Sequence, residues 1–129
     1  MGALRSAFDV SADGGLVALS AAVHEINDGE VKIGSKVTLY GEHGKWLEDV
    51  TLDHAVTRMR FTSDRGDLVC SSPEGFVSFL KDRKLAGQTN LGSALDGLVS
   101  CLDGSLILMP AGGDGIHVLS AAMQSLGVL

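Results

Sequence analysis

The sequence predicts an all-β fold built from three repeats, each of four short antiparallel strands. Three observations carry that prediction. A segment, Asp13-Gly14-Gly15-Leu16-Val17-Ala18-Leu19, recurs as Asp64-Arg65-Gly66-Asp67-Leu68-Val69-Cys70 and again as Asp103-Gly104-Ser105-Leu106-Ile107-Leu108-Met109. Downstream, Val37-Thr38-Leu39-Tyr40, Val77-Ser78-Phe79-Leu80 and His117-Val118-Leu119-Ser120 follow one another at intervals of 40 residues. Finally, 17 glycines against two prolines supply many tight turns, as short strands require.

The elements follow in order. In the first unit, Ser6 to Val10 alternates in part and Gly15 to Ala22 is an apolar run bounded by Asp-Gly-Gly. Lys36 to Tyr40 alternates with Val37 and Leu39 on one face, and Trp46 to Leu52 alternates again. In the second unit, Val56 to Thr62, Asp67 to Ser71, Phe76 to Leu80 and Lys84 to Leu91 are separated by Ser-Asp-Arg-Gly, Pro-Glu-Gly and Asp-Arg turns. The third unit reads Leu98 to Leu102, Ser105 to Met109, Gly115 to Leu119 and a last piece from Gln124 to Leu129, with Gly112, Gly113, Asp114 and Gly115 forming a hairpin turn. Acidic-Gly pairs at such turns provide the positive φ that tight hairpins need. Residues 20–26 and 119–126 contain good helix formers, so helix competes with strand there. The units span about 5–52, 56–91 and 98–129 of a single domain.

One interval breaks the period: Asp13 to Asp64 is 51 residues. The surplus falls in residues 23–35, VHEINDGEVKIGS, and is expected to form a surface loop, where repeat proteins often place function. His24, Glu25, Asp28 and Glu30 crowd this stretch. Carboxylates with intervening Asn and Gly could suit a cation, but the spacing is not that of a calcium-binding helix–loop–helix; a solvated, partner-binding loop is the reading adopted. Glu42, His43 and Asp49 near Trp46 fall in a turn and an outer strand. Trp46, the one tryptophan, is a candidate interface anchor.

Composition excludes several functions. A formal charge of −6, without a cluster of Lys and Arg, disfavours nucleic acid and anionic membrane as partners. No stretch reaches the length of a membrane helix, and the N-terminus lacks the apolar run of a signal peptide. A loose lipidation pattern at Met1-Gly2 with Ser6 is read as an ordinary start. Cys70 and Cys101 sit in apolar strands without ligand-type spacing, so they are expected as buried free thiols in a reducing, intracellular compartment, most simply the cytoplasm. No Gly-x-Ser-x-Gly, phosphate loop or catalytic spacing occurs, and no cofactor is called for.

A period of about 40 residues is the size of one four-stranded propeller blade. The second unit also resembles a WD-repeat blade over residues 53–82: a His ahead of the first strand, a strand ending Phe-Thr-Ser-Asp, an apolar second strand ending Ser-Ser, and an acidic-Gly turn into an alternating third strand. The resemblance implies a bracing network at His54, Ser72 and Glu74, with Leu80 in the place of the family's Trp, Tyr40 at that place in the first unit and Ser120 in the third. It also implies a non-catalytic scaffold that binds other protein chains, here through His24, Asp28, Glu30, Glu42 and Trp46. Propellers carry about four to eight blades. Three leave two open faces, so the chain is expected to be a piece of a larger propeller or a subunit of a larger assembly, or to complete a propeller by association, two copies making six. Two alternatives stand beside this: a propeller enzyme using carboxylates or a metal near Asp9, Asp13, Asp64 and Asp103, and a structural self-assembling subunit.

Overall fold

Each of the three units folds as a four-stranded antiparallel meander in a computed structural model of the chain. The structure describes residues 7–63, 65–101, 103–112, 115–120 and 125–128, without the side chains of Glu25 and Asn27. Expectations resting on Ser6, Asp64, Leu102, Gly113, Asp114, residues 121–124, Leu129 and the Glu25 side chain lie outside the described residues.

The first sheet comprises β1 (Phe8–Val10), β2 (Val17–Asn27), β3 (Glu30–Tyr40) and β4 (Trp46–Leu52). The second comprises β5 (Arg58–Phe61), β6 (Leu68–Ser71), β7 (Phe76–Lys81) and β8 (Lys84–Asn90). The third comprises β9 (Leu95–Ser100), β10 (Leu106–Pro110), β11 (His117–Leu119) and β12 (Ser125–Val128). Every sheet runs in chain order, and every neighbouring pair is antiparallel.

The turns follow local chemistry. Asp28 and Gly29 (φ 51° and 82°) connect β2 to β3, and Asp82 and Arg83 (φ 49° and 70°) connect β7 to β8. Positive φ at both central residues is the two-residue hairpin turn whose twist matches the strands it joins. Residues 20–26 are strand, not helix: their apolar alternation against β3 outweighs a weak helix propensity.

Register sharpens the repeat. Tyr40 lies opposite Val17, Leu80 opposite Leu68, and Leu119 opposite Leu106. The third-unit equivalent of Tyr40 is therefore Leu119, one residue before Ser120.

The sheets stack face to face in chain order. Ala18, Val37, Leu39, Val50 and Leu52 of the first sheet pack with Met59, Leu68, Cys70 and Leu80 of the second. From its other face the second sheet sends Val69, Val77 and Phe79 against Leu106, Leu108 and Leu119 of the third. All four residues of β6 are buried, which explains an apolar strand without alternation. The stack is open rather than closed into a ring.

Polar bridges tie the innermost strands. The Phe61 amide of β5 donates to Asp9 Oδ2 of β1 at 2.7 Å. Arg60 Nη1 donates to the Leu98 carbonyl of β9 at 2.9 Å.

Candidate functional site

The excursion at residues 23–35 is not a loop. It is the far half of a continuous hairpin in which β2 and β3 stay paired from Val17/Tyr40 to Asn27/Glu30. β1 covers β2 only at Val17–Leu19, and β4 covers β3 only at Ser35–Tyr40. Among the described residues, the tip extends beyond the sheet as a two-stranded arm with neither backbone edge paired to another strand. Sequence reading missed this because Glu25, Asn27, Asp28 and Gly29 look like loop residues, while the alternation of Val23, Ile26, Val31 and Ile33 around them is short.

Gly34 marks the base of the arm. A Cβ there would lie 2.5 Å from the Leu52 carbonyl oxygen of β4, so a side chain would push the arm off the sheet. Cross-strand pairs His24↔Ile33 and Ile26↔Val31 place four side chains on one face of the arm. Three are large aliphatics left in water: Ile26 is 74% exposed, Val31 60% and Ile33 52%. His24, Asp28, Glu30 and Lys32 are also exposed.

Glu42 and Trp46 belong to a different surface. They lie beyond the opposite end of β3, whose 11 residues at about 3.3 Å each separate the two regions by roughly 30 Å. Residues Glu42–Gly44 form a single 3-10 turn, closed by the Lys45 amide donating to the Glu42 carbonyl at 3.3 Å and flanked by the Gly41 amide donating to the Lys45 carbonyl at 2.7 Å. Trp46, 57% exposed, donates its indole N–H to Asp49 Oδ1 at 3.2 Å, and Thr38 Oγ1 donates to the same oxygen at 2.8 Å. These two bonds, the Thr38 hydroxyl first, hold the Asp49 carboxyl below its ordinary range.

The bracing network is rearranged from the expected one. His54 is buried, but its Nε2 pairs with Ser78 Oγ on β7, not with Ser72; Nδ1 pairs with the Ala55 carbonyl at 2.7 Å. Gln88 Nε2 donates to Ser78 Oγ at 3.0 Å and to Asp53 Oδ1 at 3.1 Å, and the His54 ring stacks on Phe76. Ser72 instead closes the β6–β7 turn, accepting from the Phe76 amide at 3.0 Å. Glu74 is exposed in that turn, and Tyr40, expected to brace the first unit, is half-buried on the outer face of the first sheet. A lone serine within the apolar run Phe-Val-Ser-Phe-Leu was the signal for Ser78.

An open groove of about 500 Å³ runs along the innermost strands, lined by Phe8, Arg58, Met59, Arg60 and Asp96 among others. Its two arginines point to backbone carbonyls, Arg60 to Leu98 and Arg58 to Leu95 at 3.4 Å. The carboxylates expected nearby serve local structure. Asp9 holds β5, Asp13 accepts from Ser11 Oγ and the Gly15 amide, and Asp103 accepts from the Ser105 hydroxyl and amide. The Ser105 hydroxyl, then its amide, lower the Asp103 carboxyl. Among the described residues no three His, Cys, Asp or Glu side chains converge as a metal would require.

Cys70 is fully buried and Cys101 half-buried, both as free thiols; burial pushes the Cys70 thiol up to about 12. No helix among the described residues is long and apolar enough to cross a membrane. No protein-family model matches the chain, and no curated protein matches its sequence.

Proposed function

We propose that the protein is a non-catalytic interaction module, resembling WD-repeat scaffolds, whose arm at residues 23–35 binds another protein chain. One observation carries this: three neighbouring aliphatic side chains, Ile26, Val31 and Ile33, stand in water on a hairpin whose two edges are open among the described residues. Exposed strand edges beside apolar side chains are what β-strand addition uses, the backbone giving affinity and alternate side chains giving specificity. The acidic residues Asp28 and Glu30 at the tip favour a partner with basic groups at the matching position. Two free thiols support a reducing, intracellular compartment, most simply the cytoplasm.

The test is a selection for peptides or proteins that bind the chain, followed by Ile26→Ser/Val31→Ser. The double variant is expected to fold as the wild type does and to lose binding by at least about tenfold. Binding unaffected by this change would assign the contact elsewhere, with Glu42 and Trp46 the next surface to examine.

A further inference from the structure

We propose that two copies of the chain pack head to tail, the outer face of the third sheet of each against the outer face of the first sheet of the other. The result is a closed ring of six sheets.

The register shows what those faces are. Phe8 pairs with Leu19, Met59 with Cys70 and Leu98 with Leu108, so these pairs are equivalent in the three sheets. Met59 and Cys70 are buried against the first sheet, and Leu108 is buried with Leu98 packed beside it against the second. Phe8 and Leu19 carry the same pattern on the first sheet, where no described residue covers them: they are 69% and 43% exposed. On the opposite side, Ala18, Val69 and Ile107 are equivalent by their pairings with Asp9, Arg60 and Val99. Ala18 and Val69 are buried by the following sheet, whereas Ile107 is half-exposed and Val99 is 45% exposed. Among the described residues the first sheet has no preceding sheet packed on it and the third no following one. A second copy supplies both, continuing the interface already built twice within the chain.

The polar pattern agrees. At both internal junctions the residue at the Asp9 and Arg60 position reaches a backbone group of the next innermost strand. In the third sheet that position is Val99. Across a head-to-tail junction it meets the strand bearing Phe8 and Val10, both exposed and apolar. Valine against this pair buries apolar surface and strands no charge.

Six sheets fall within the usual propeller range of about four to eight.

Sedimentation velocity on the full chain tests this and does not depend on the arm. The wild type is expected to run at twice 13.4 kDa at micromolar concentration. Leu19→Lys and Val99→Lys, at half-exposed sites that leave both cores intact, are each expected to weaken self-association at least about 100-fold. Mixing the two restores a dimer, because one intact junction remains. A wild type that stays monomeric at 100-fold higher concentration than the micromolar run, or a Leu19→Lys protein that still dimerises alone, overturns the proposal. The wild-type result needs no variant, so a folding defect cannot mask it. Loss of partner binding in the arm variant without change of mass separates the two readings.

Discussion

Replacing His54 tests how the second sheet is braced, because sequence and structure assign its ring different partners. His54 and Ser78 are both buried, and each satisfies the other. Ser78→Ala leaves the ring nitrogen without its hydroxyl partner, a loss of about 1–3 kcal/mol. His54→Ala removes the same bond, the Nδ1 bond to Ala55 and the stacking on Phe76, so about 2–4 kcal/mol is expected. Because one bond is shared, the double variant should fall short of the sum by about 1–2 kcal/mol. Ser72→Ala loses the Phe76 amide bond, about 1 kcal/mol, and its coupling to His54 should be less than half as large. Urea unfolding followed by circular dichroism, at one fixed protein concentration, reads all five variants. In a chain of 129 residues each kcal/mol moves the melting temperature by roughly 3–5 °C. Additivity of His54 with Ser78, or stronger coupling to Ser72, would refute the assignment.

Four further outcomes are expected. Asp49 is lowered in the folded chain, so the stabilisation it contributes is present above its ordinary value of 3.8 and is lost as pH falls through its folded value. The emission of Trp46 should therefore change with a midpoint below 3.8 and lose that step in Asp49→Ala; a midpoint at or above 3.8 contradicts the two hydrogen bonds. A thiol reagent at neutral pH should label Cys101 in the native protein and Cys70 only after unfolding, and two fast-reacting thiols would contradict the burial of Cys70. Gly75→Ala combines a φ of 102° with a Cβ 2.5 Å from the Ser93 carbonyl, and should destabilise by about 2 kcal/mol or more by denaturant titration. Gly29→Ala, in open space at a turn, should cost about 1 kcal/mol.

The repeat made the fold legible, because apolar second strands and acidic-Gly turns are local signals that survive divergence. Leu68, Val69 and Cys70 announce a strand buried on both faces, and that is where β6 lies. The arm was not legible for a physical reason. Its strands bury little, so the alternation of Ile26, Val31 and Ile33 is set by cross-strand pairing rather than by a core, and Asn-Asp-Gly at the tip reads as loop. The partner of His54 was not legible, because it depends on which serine faces the first sheet, and only the register fixes that. The expected contact residues were also read as one group; the length of β3 separates His24, Asp28 and Glu30 from Glu42 and Trp46.

The burial of the second sheet on both faces also governs how the chain opens. Among the described residues the buried clusters join only sheets adjacent in chain order, so cooperativity passes from one to the next as along a short row. Within a single copy, the middle sheet has two neighbours to lose and the outer sheets have one. Backbone amides of β6 and β7 should then exchange with solvent last, at the full cost of unfolding. Those of β12, all of whose residues are exposed, and of the arm should exchange through small local openings. A chain arranged this way loosens from its ends inward, and whatever covers its end sheets slows that loosening.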